Sequence, residues 1–359
     1  MKIKTGIIQT AAPDYRKPFF DFLSKEKAID FKLYTGSSYF EPSVKTAIYK
    51  DYCIPIKNRY FLNRKILYQT GILRPVLKID ILVLELNPRI LTNWFILAIR
   101  KLLQKRTIVW GHAWPRNGAK SKSDIIRNFM RFLADEIIVY TKQQSIELQK
   151  KMPKKTIRYA ANALYYKIEM EVSDAFNSND CNNIIYVGRL TKQKKAFFLV
   201  KSFHEILPQL PKKANLIIVG DGEEKVEIEH YVNQNQLEKR VIVLGHVSDY
   251  KILKQHYNKA LMSVSPGYVG LSITQSLGFG VPMLISKHEN HSPELEAATA
   301  FNSLFFETDN MADLSQKLLQ VFKDKNNWVE RRKQISTDCA DNYSIEQMGK
   351  TFINAFKNN

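Results

Sequence analysis

Short apolar runs recur along the first half of the chain, separated by longer stretches in which apolar residues return every three or four positions. Residues 3–9, 31–34, 79–84, 107–110 and 136–140 read as strands, and residues 18–24, 92–103 and 123–133 as helices. Strands alternating with helices specify a parallel sheet covered on both faces, because a parallel crossover needs a helix-length connection. Between residues 167 and 183 the periodicity stops in a polar, turn-rich stretch that ends SDAFNSNDCNN and reads as a linker. Beyond it the alternation resumes, with strands at 184–187, 215–219, 241–244, 261–264 and 282–285. Two amphipathic stretches, 311–323 and 345–356, close the chain.

The expected organisation is α/β: a Rossmann-like domain over 1–166, the linker 167–183, and a second Rossmann-like domain over 184–340. A C-terminal helix within 341–359 can cross back to the first domain. Doubly wound sheets bind ligands beyond the carboxyl ends of their strands, so the two domains are expected to face a central cleft. The 359 residues, 45% of them hydrophobic, suffice for two such cores.

Composition narrows the setting. Cys53, Cys181 and Cys339 are far apart and form no C-x-x-C, which suggests neither a disulfide framework nor a structural zinc site and suits a reducing cytoplasm. The N-terminal apolar run is broken too early for a secretory signal. Residues 90–103, the most apolar stretch, contain Asn93 and Arg100 and fall short of the roughly 20 residues a membrane span needs.

Charge is uneven. Residues 1–165 hold 31 Lys and Arg against 12 Asp and Glu, whereas the remainder balances at 23 and 23, so the whole +19 excess lies in the first half. An anionic partner is implied: an acidic membrane surface, a phosphate-bearing acceptor or nucleic acid, the last disfavoured because no nucleic-acid-binding motif accompanies the charge. Residues 57–68, KNRYFLNRKILY, with Arg74 and Lys78 beyond them, interleave cations with aromatic and aliphatic residues. Read as a helix, they offer one greasy and one basic side, suited to shallow adsorption at anionic headgroups. A helix packed on the sheet is the alternative.

Two segments carry the sharpest chemistry. In Tyr186-Val-Gly-Arg-Leu-Thr-Lys-Gln-Lys194 a strand ends at Gly188 and the turn presents Arg189 and Lys194. The planar arginine fork and the lysine point charge together suit a diphosphate. In Ser265-Pro-Gly-Tyr-Val-Gly-Leu-Ser-Ile-Thr-Gln-Ser-Leu-Gly-Phe-Gly-Val-Pro282 a strand end leads through Gly270, Leu271 and Ser272 into a short helix, whose unpaired amides also favour an anion. In the first half, His112 follows the strand 107–110, Arg116 lies in the same loop, and Tyr15 and Arg16 follow the first strand. Glu85 ends the strand at 79–84, as a cleft carboxylate or a surface strand end.

The first segment resembles the G-R-L-x-x-x-K-G signature of family-4 glycosyltransferases, with Lys195 in place of the last glycine. The second is similar to the family's E-G-F-G-L stretch, with a second glutamate eight positions after the first. Gly270 and Leu271 are in register there, whereas Gly267 and Gln275 stand where the glutamates would be. Residues 216–222 and 244–248 resemble the glycine turn and the base-side loop that follow.

The resemblance implies a GT-B glycosyltransferase that retains anomeric configuration. Gly188, Arg189, Lys194, Gly270, Leu271, Ser272 and Gln275 would bind the donor, His112 would act on the donor sugar, and Tyr15, Arg16 and Arg116 would hold the acceptor. A nucleotide-diphosphate sugar is then the co-substrate, with no metal and no other cofactor. The acceptor is expected to be a saccharide, polyprenyl-diphosphate-linked, for a bacterial surface polysaccharide. Its location would be the cytoplasm, against the anionic inner face of the membrane. The alternative is a catalytically silent GT-B protein that binds nucleotide-sugar or serves a partner.

Overall fold

The computed structural model describes residues 2–42, 44–47, 51–115, 118–172 and 177–357. The chain divides into two compact units, residues 1–164 with 345–359, and residues 165–344.

Among its described residues the first unit holds nine strands: β1 (Ile3–Gln9), β2 (Ile29–Thr35), β3 (Cys53–Pro55), β4 (Lys57–Phe61), β5 (Ile66–Thr70), β6 (Ile81–Glu85), β7 (Thr107–Trp110), β8 (Glu136–Val139) and β9 (Thr156–Tyr159). Seven form one parallel sheet in the order β3-β2-β1-β6-β7-β8-β9. Strands β7 and β8 are buried at every position, as expected of a sheet covered on both faces.

The C-terminal helix Ile345–Lys357 belongs to this unit. Its inward stripe includes Met348, Phe352 and Phe356, and the Phe352 ring lies 5.0 Å from both Phe19 and Trp110. Gly349 allows the close approach to helix Lys17–Ser24, since a Cβ there would come within 2.3 Å of the Phe22 ring.

Residues 57–68 are not a helix. β4 and β5 pair antiparallel as a hairpin, and Leu62, Asn63 and Arg64 turn its tip with positive φ. The alternation wins because it places Asn58 inward, where its amide donates to the carbonyls of Thr10 at 2.8 Å and Ser38 at 3.0 Å and its oxygen accepts from Gln69 at 3.0 Å. Lys57, Arg59 and Phe61 point to solvent.

The second unit adds β10 (Asn183–Val187), β11 (Leu216–Val219), β12 (Val241–Gly245), β13 (Ala260–Ser265), β14 (Met283–Ser286) and β15 (Ser303–Phe306). They pair parallel in the order β12-β11-β10-β13-β14-β15. Helices Lys325–Glu330 and Arg332–Tyr343 close the unit. The buried Arg332 guanidinium staples it by donating to the carbonyls of Ala260, Tyr257 and Phe279 at 2.6, 3.0 and 3.2 Å.

In each sheet the strand order reverses once, between β1 and β6 and between β10 and β13. The loops leaving these strands part to opposite sides there and open a crevice at the carboxyl edge.

Candidate functional site

At the β10/β13 reversal, Gly188 and Arg189 leave β10, and the one-turn helix Lys192–Lys194 brings the chain against the loop leaving β13. Contact is at backbone distance. A Cβ on Gly267 would lie 2.2 Å from the Gln193 carbonyl oxygen and 2.8 Å from Lys194 Cα. A glutamate at 267, as in the signature this segment resembles, cannot be accommodated without moving that turn. Gly220, after β11, supports the same loop from the other side, where a Cβ would meet the Gly188 carbonyl oxygen at 1.8 Å.

Tyr268 then joins the two cations. Lys194 Nζ donates to the Tyr268 carbonyl at 2.8 Å and lies 3.5 Å from the centroid of its ring, while Arg189 Nη2 donates to its hydroxyl at 3.1 Å. Burial, with the neighbouring Arg189 charge, lowers the Lys194 ammonium to about 8, and Glu294 opposes them weakly. Two cations meeting one tyrosine, one of them short of solvation, have the chemistry that suits an anion with several acidic oxygens.

Lys195 has φ 56° and ψ 34°, the left-handed geometry that glycine adopts most readily. Its ammonium bonds Glu289 and Asp309, each at 2.6 Å, which anchors the turn to the loops after β14 and β15.

The loop from Gly270 through Leu271 leads into helix Ser272–Gly278. Gly270 meets little, since a Cβ there would find only Ser292 Oγ at 3.8 Å. Its neighbour Val269 is pinned by an N–H bond to His291 Nδ1 at 3.0 Å. Gln275 lies one turn into the helix, where its amide donates to the Tyr165 hydroxyl at 2.6 Å and its oxygen accepts from Tyr257 at 3.5 Å.

The first unit has its own cluster at the β1/β6 reversal. Glu85 ends β6 and accepts the Thr10 amide at 2.5 Å and the Thr10 hydroxyl at 2.9 Å across the reversal. Burial pushes its carboxyl upward, against those hydrogen bonds and the charge of Arg16. Arg16 donates to the Gln9 side chain and, at 3.3 Å, to the Tyr140 hydroxyl, and its guanidinium stacks 4.7 Å from the Trp110 ring. His112 is exposed just beyond β7, its ring edge-on to Tyr140 at 4.7 Å. Tyr15 is 38% exposed, 5.6 Å beneath the Arg16 guanidinium. Arg116 lies outside the described residues.

The structure thus brings Arg189 and Lys194 together in one unit, and Tyr15, Arg16, His112 and Glu85 together in the other. Gln275 is placed with Tyr165. Sequence reasoning missed Tyr268, Tyr140 and Gln9 as members of these clusters. The signal available was position alone: each lies at or just beyond the carboxyl end of a strand.

Two Rossmann-like domains in succession, each with a parallel sheet flanked by helices, are the GT-B architecture, and known structures agree. The Anabaena Alr3699/HepE crystal structure in complex with UDP matches over 99% of both chains, with a TM-score of 0.68 at 12% identity. Residues 170–338, nearly all of the second unit, match the family model for glycosyl transferases group 1. An uncharacterized glycosyltransferase of Methanocaldococcus jannaschii, MJ1059, is 27% identical over 74% of this chain and 71% of its own. From Campylobacter jejuni, the GalNAc-alpha-(1->4)-GalNAc-alpha-(1->3)-diNAcBac-PP-undecaprenol alpha-1,4-N-acetyl-D-galactosaminyltransferase is 26% identical over 52% of this chain. The match spans about half, 51%, of that relative's length.

Proposed function

We propose that the protein is a glycosyltransferase that moves a sugar, with retention, from a nucleotide-diphosphate sugar to a lipid-linked saccharide in the synthesis of a cell-surface glycan. The observation that carries this reading is the convergence of Arg189 and Lys194 on Tyr268 at the β10/β13 reversal. Negative charge grows on the diphosphate as the sugar leaves. A fork and a point charge already in place offset that charge without reorganisation, and in this reading no metal is required.

The printed names of similar proteins support the substrate classes: UDP in the Anabaena structure and an undecaprenol-diphosphate saccharide in the Campylobacter enzyme. In this reading Gly270, Leu271 and Ser272 line the donor diphosphate, Gln275 turns from Tyr165 to the ribose, and His112 contacts the donor sugar. Tyr15, Arg16 and Arg116 hold the acceptor. The reaction takes place in the cytoplasm at the inner membrane face.

A second reading, a silent nucleotide-sugar-binding protein, is favoured by one pair of observations. Gly267 has no room for the family's first glutamate, and Gln275, at the place of the second, is already bonded to Tyr165.

Thermal shifts with UDP-, GDP-, TDP- and ADP-sugars, repeated on Arg189→Ala and Lys194→Ala, test donor binding. A nucleotide at about 100 times its dissociation constant should add roughly 2.7 kcal/mol, lost in both variants. Release of nucleoside diphosphate with transfer to a lipid-linked saccharide supports the enzyme. Binding without any turnover supports the silent reading, and no shift with any donor sinks both.

A further inference from the structure

Helices Leu91–Leu102 and Asp124–Leu133 carry apolar side chains on both sides: Ile96 and Leu97 of the first and Met130 of the second join the core, yet a second apolar stripe on each faces outward. On the first, Thr92, Asn93 and Arg100 are buried, and the Arg100 guanidinium donates to the carbonyls of Val76, Ile79, Asp80 and Arg106 at 2.6 to 3.0 Å. Leu91, Phe95, Leu102 and the adjoining Leu103 face solvent, Leu102 with 84% of its surface. On the second, Asp124 and Arg131 are buried and paired at 2.6 Å, whereas Ile125, Ile126, Phe129 and Phe132 stand 55 to 75% exposed. The helices touch, Trp94 stacking on Phe129 at 6.0 Å, so the two apolar stripes form one face.

Eight large apolar side chains, Leu91, Phe95, Leu102, Leu103, Ile125, Ile126, Phe129 and Phe132, thus stand 40 to 84% exposed along these two helices, and apolar surface gathered in this way marks an interaction site. Its borders are cationic. Lys120 and Lys122 are exposed just before the second helix, and Lys101, beside Leu102, is paired with Asp135 at 2.7 Å. The Lys155 ammonium lies 3.1 Å from the Phe132 carbonyl at the far end. The one acid of the second helix, Asp124, points inward. The β4–β5 hairpin adds exposed Phe61 and Leu62, its tip tied to the segment before the first helix by Arg89, which donates to the carbonyls of Lys65 and Arg64 at 2.7 and 2.8 Å.

We infer that this face docks on an anionic phospholipid bilayer, with Phe95, Ile125, Phe129 and Phe132 in the acyl boundary and Lys120 and Lys122 among the headgroups. The helices have 12 and 10 residues, and no helix among the described residues is long and apolar enough to cross a membrane, so they lie in the plane of the interface. Charge selects the occupant. The first 165 residues carry the whole positive excess of the chain, which attracts an anionic leaflet, whereas a second copy would bring a like-charged rim against this one. The inference deepens the proposed function, which gives the contact its purpose: a lipid-linked acceptor lies in the membrane plane.

The test is flotation of the full chain with phosphatidylcholine vesicles, with and without phosphatidylglycerol, beside sedimentation and a UDP-sugar thermal shift on the same samples. Wild type should float with the anionic vesicles and much less with the neutral ones. Partitioning should fall about tenfold or more in Phe129→Ser/Phe132→Ser, and likewise in Lys120→Glu/Lys122→Glu, while thermal unfolding stays cooperative. Failure of wild type to float, or equal flotation of all variants, overturns the inference. So does a dimer that Phe129→Ser dissociates, which would assign the face to a second copy. A donor shift that is absent while flotation persists sinks the donor reading and leaves this one standing.

Discussion

Lys194 and Tyr268 meet twice, through an N–H bond to the carbonyl at 2.8 Å and through the ring face at 3.5 Å. The ammonium is held at the cost of solvation, which lowers it to about 8. A polyanion that reaches it supplies the missing countercharge, so binding and protonation are linked. Affinity for a nucleoside diphosphate should therefore be level below about pH 8 and fall as pH rises through it. Calorimetric titration of wild type across pH 6.5 to about 9.5 checks this, and in Lys194→Met that inflection should be gone.

The same lysine should weaken the unliganded fold. Its folded value lies below its ordinary 10.5, so the penalty is fully present below about pH 8 and vanishes above 10.5. Lys194→Met should stabilise the apo protein at pH 7 by about 1–3 kcal/mol, an advantage that shrinks as the pH approaches 10.5. Urea unfolding at the two pH values measures it, and an equal difference at both would refute the assignment of the cost to desolvation.

Placing a glutamate at position 267 should harm the protein. The new Cβ would sit 2.2 Å from the Gln193 carbonyl oxygen, so the turn carrying Lys194 must move. Gly267→Glu is expected to lose about 2–4 kcal/mol of stability and most donor affinity. Gly270→Ala, at a position with open space, should leave stability within about 0.5 kcal/mol. Comparing the two by thermal unfolding separates a glycine required by close packing from one that is not.

Much of the fold was legible because strands such as β7 and β8 are mostly apolar, Thr107 and Glu136 apart, and bounded by helical periods. Arg189 and Lys194 stood out by their spacing, and the structure brings both to Tyr268. Residues 57–68 were misread because a lysine–aromatic interleave satisfies period two and period 3.6 alike, and only Asn58, with partners on Thr10 and Ser38, decides between them. Residues 92–103 and 123–133 were recognised as helices, but an amphipathic pattern does not say which face is buried. Ile96, Leu97 and Met130 are buried as expected, but Arg100 and Arg131 join them inside by finding carbonyls and Asp124, which leaves a second apolar stripe outside. Tyr268 carried no signal of its own beyond lying at a strand end.

Lys195 allows a last prediction, because strain and attraction act at one residue. Its left-handed backbone costs about 1 kcal/mol relative to glycine, and its two ion pairs with Glu289 and Asp309 offset that. Lys195→Ala keeps the strain and removes both pairs, so it should lose about 1–2 kcal/mol. Lys195→Gly removes strain and pairs together and should fall within about 1 kcal/mol of wild type. If high salt brings wild type down toward Lys195→Ala while leaving Lys195→Gly unchanged, the ion pairs are what let a lysine occupy a glycine's conformation in this loop. Were alanine and glycine equally destabilised, the left-handed strain would play no part.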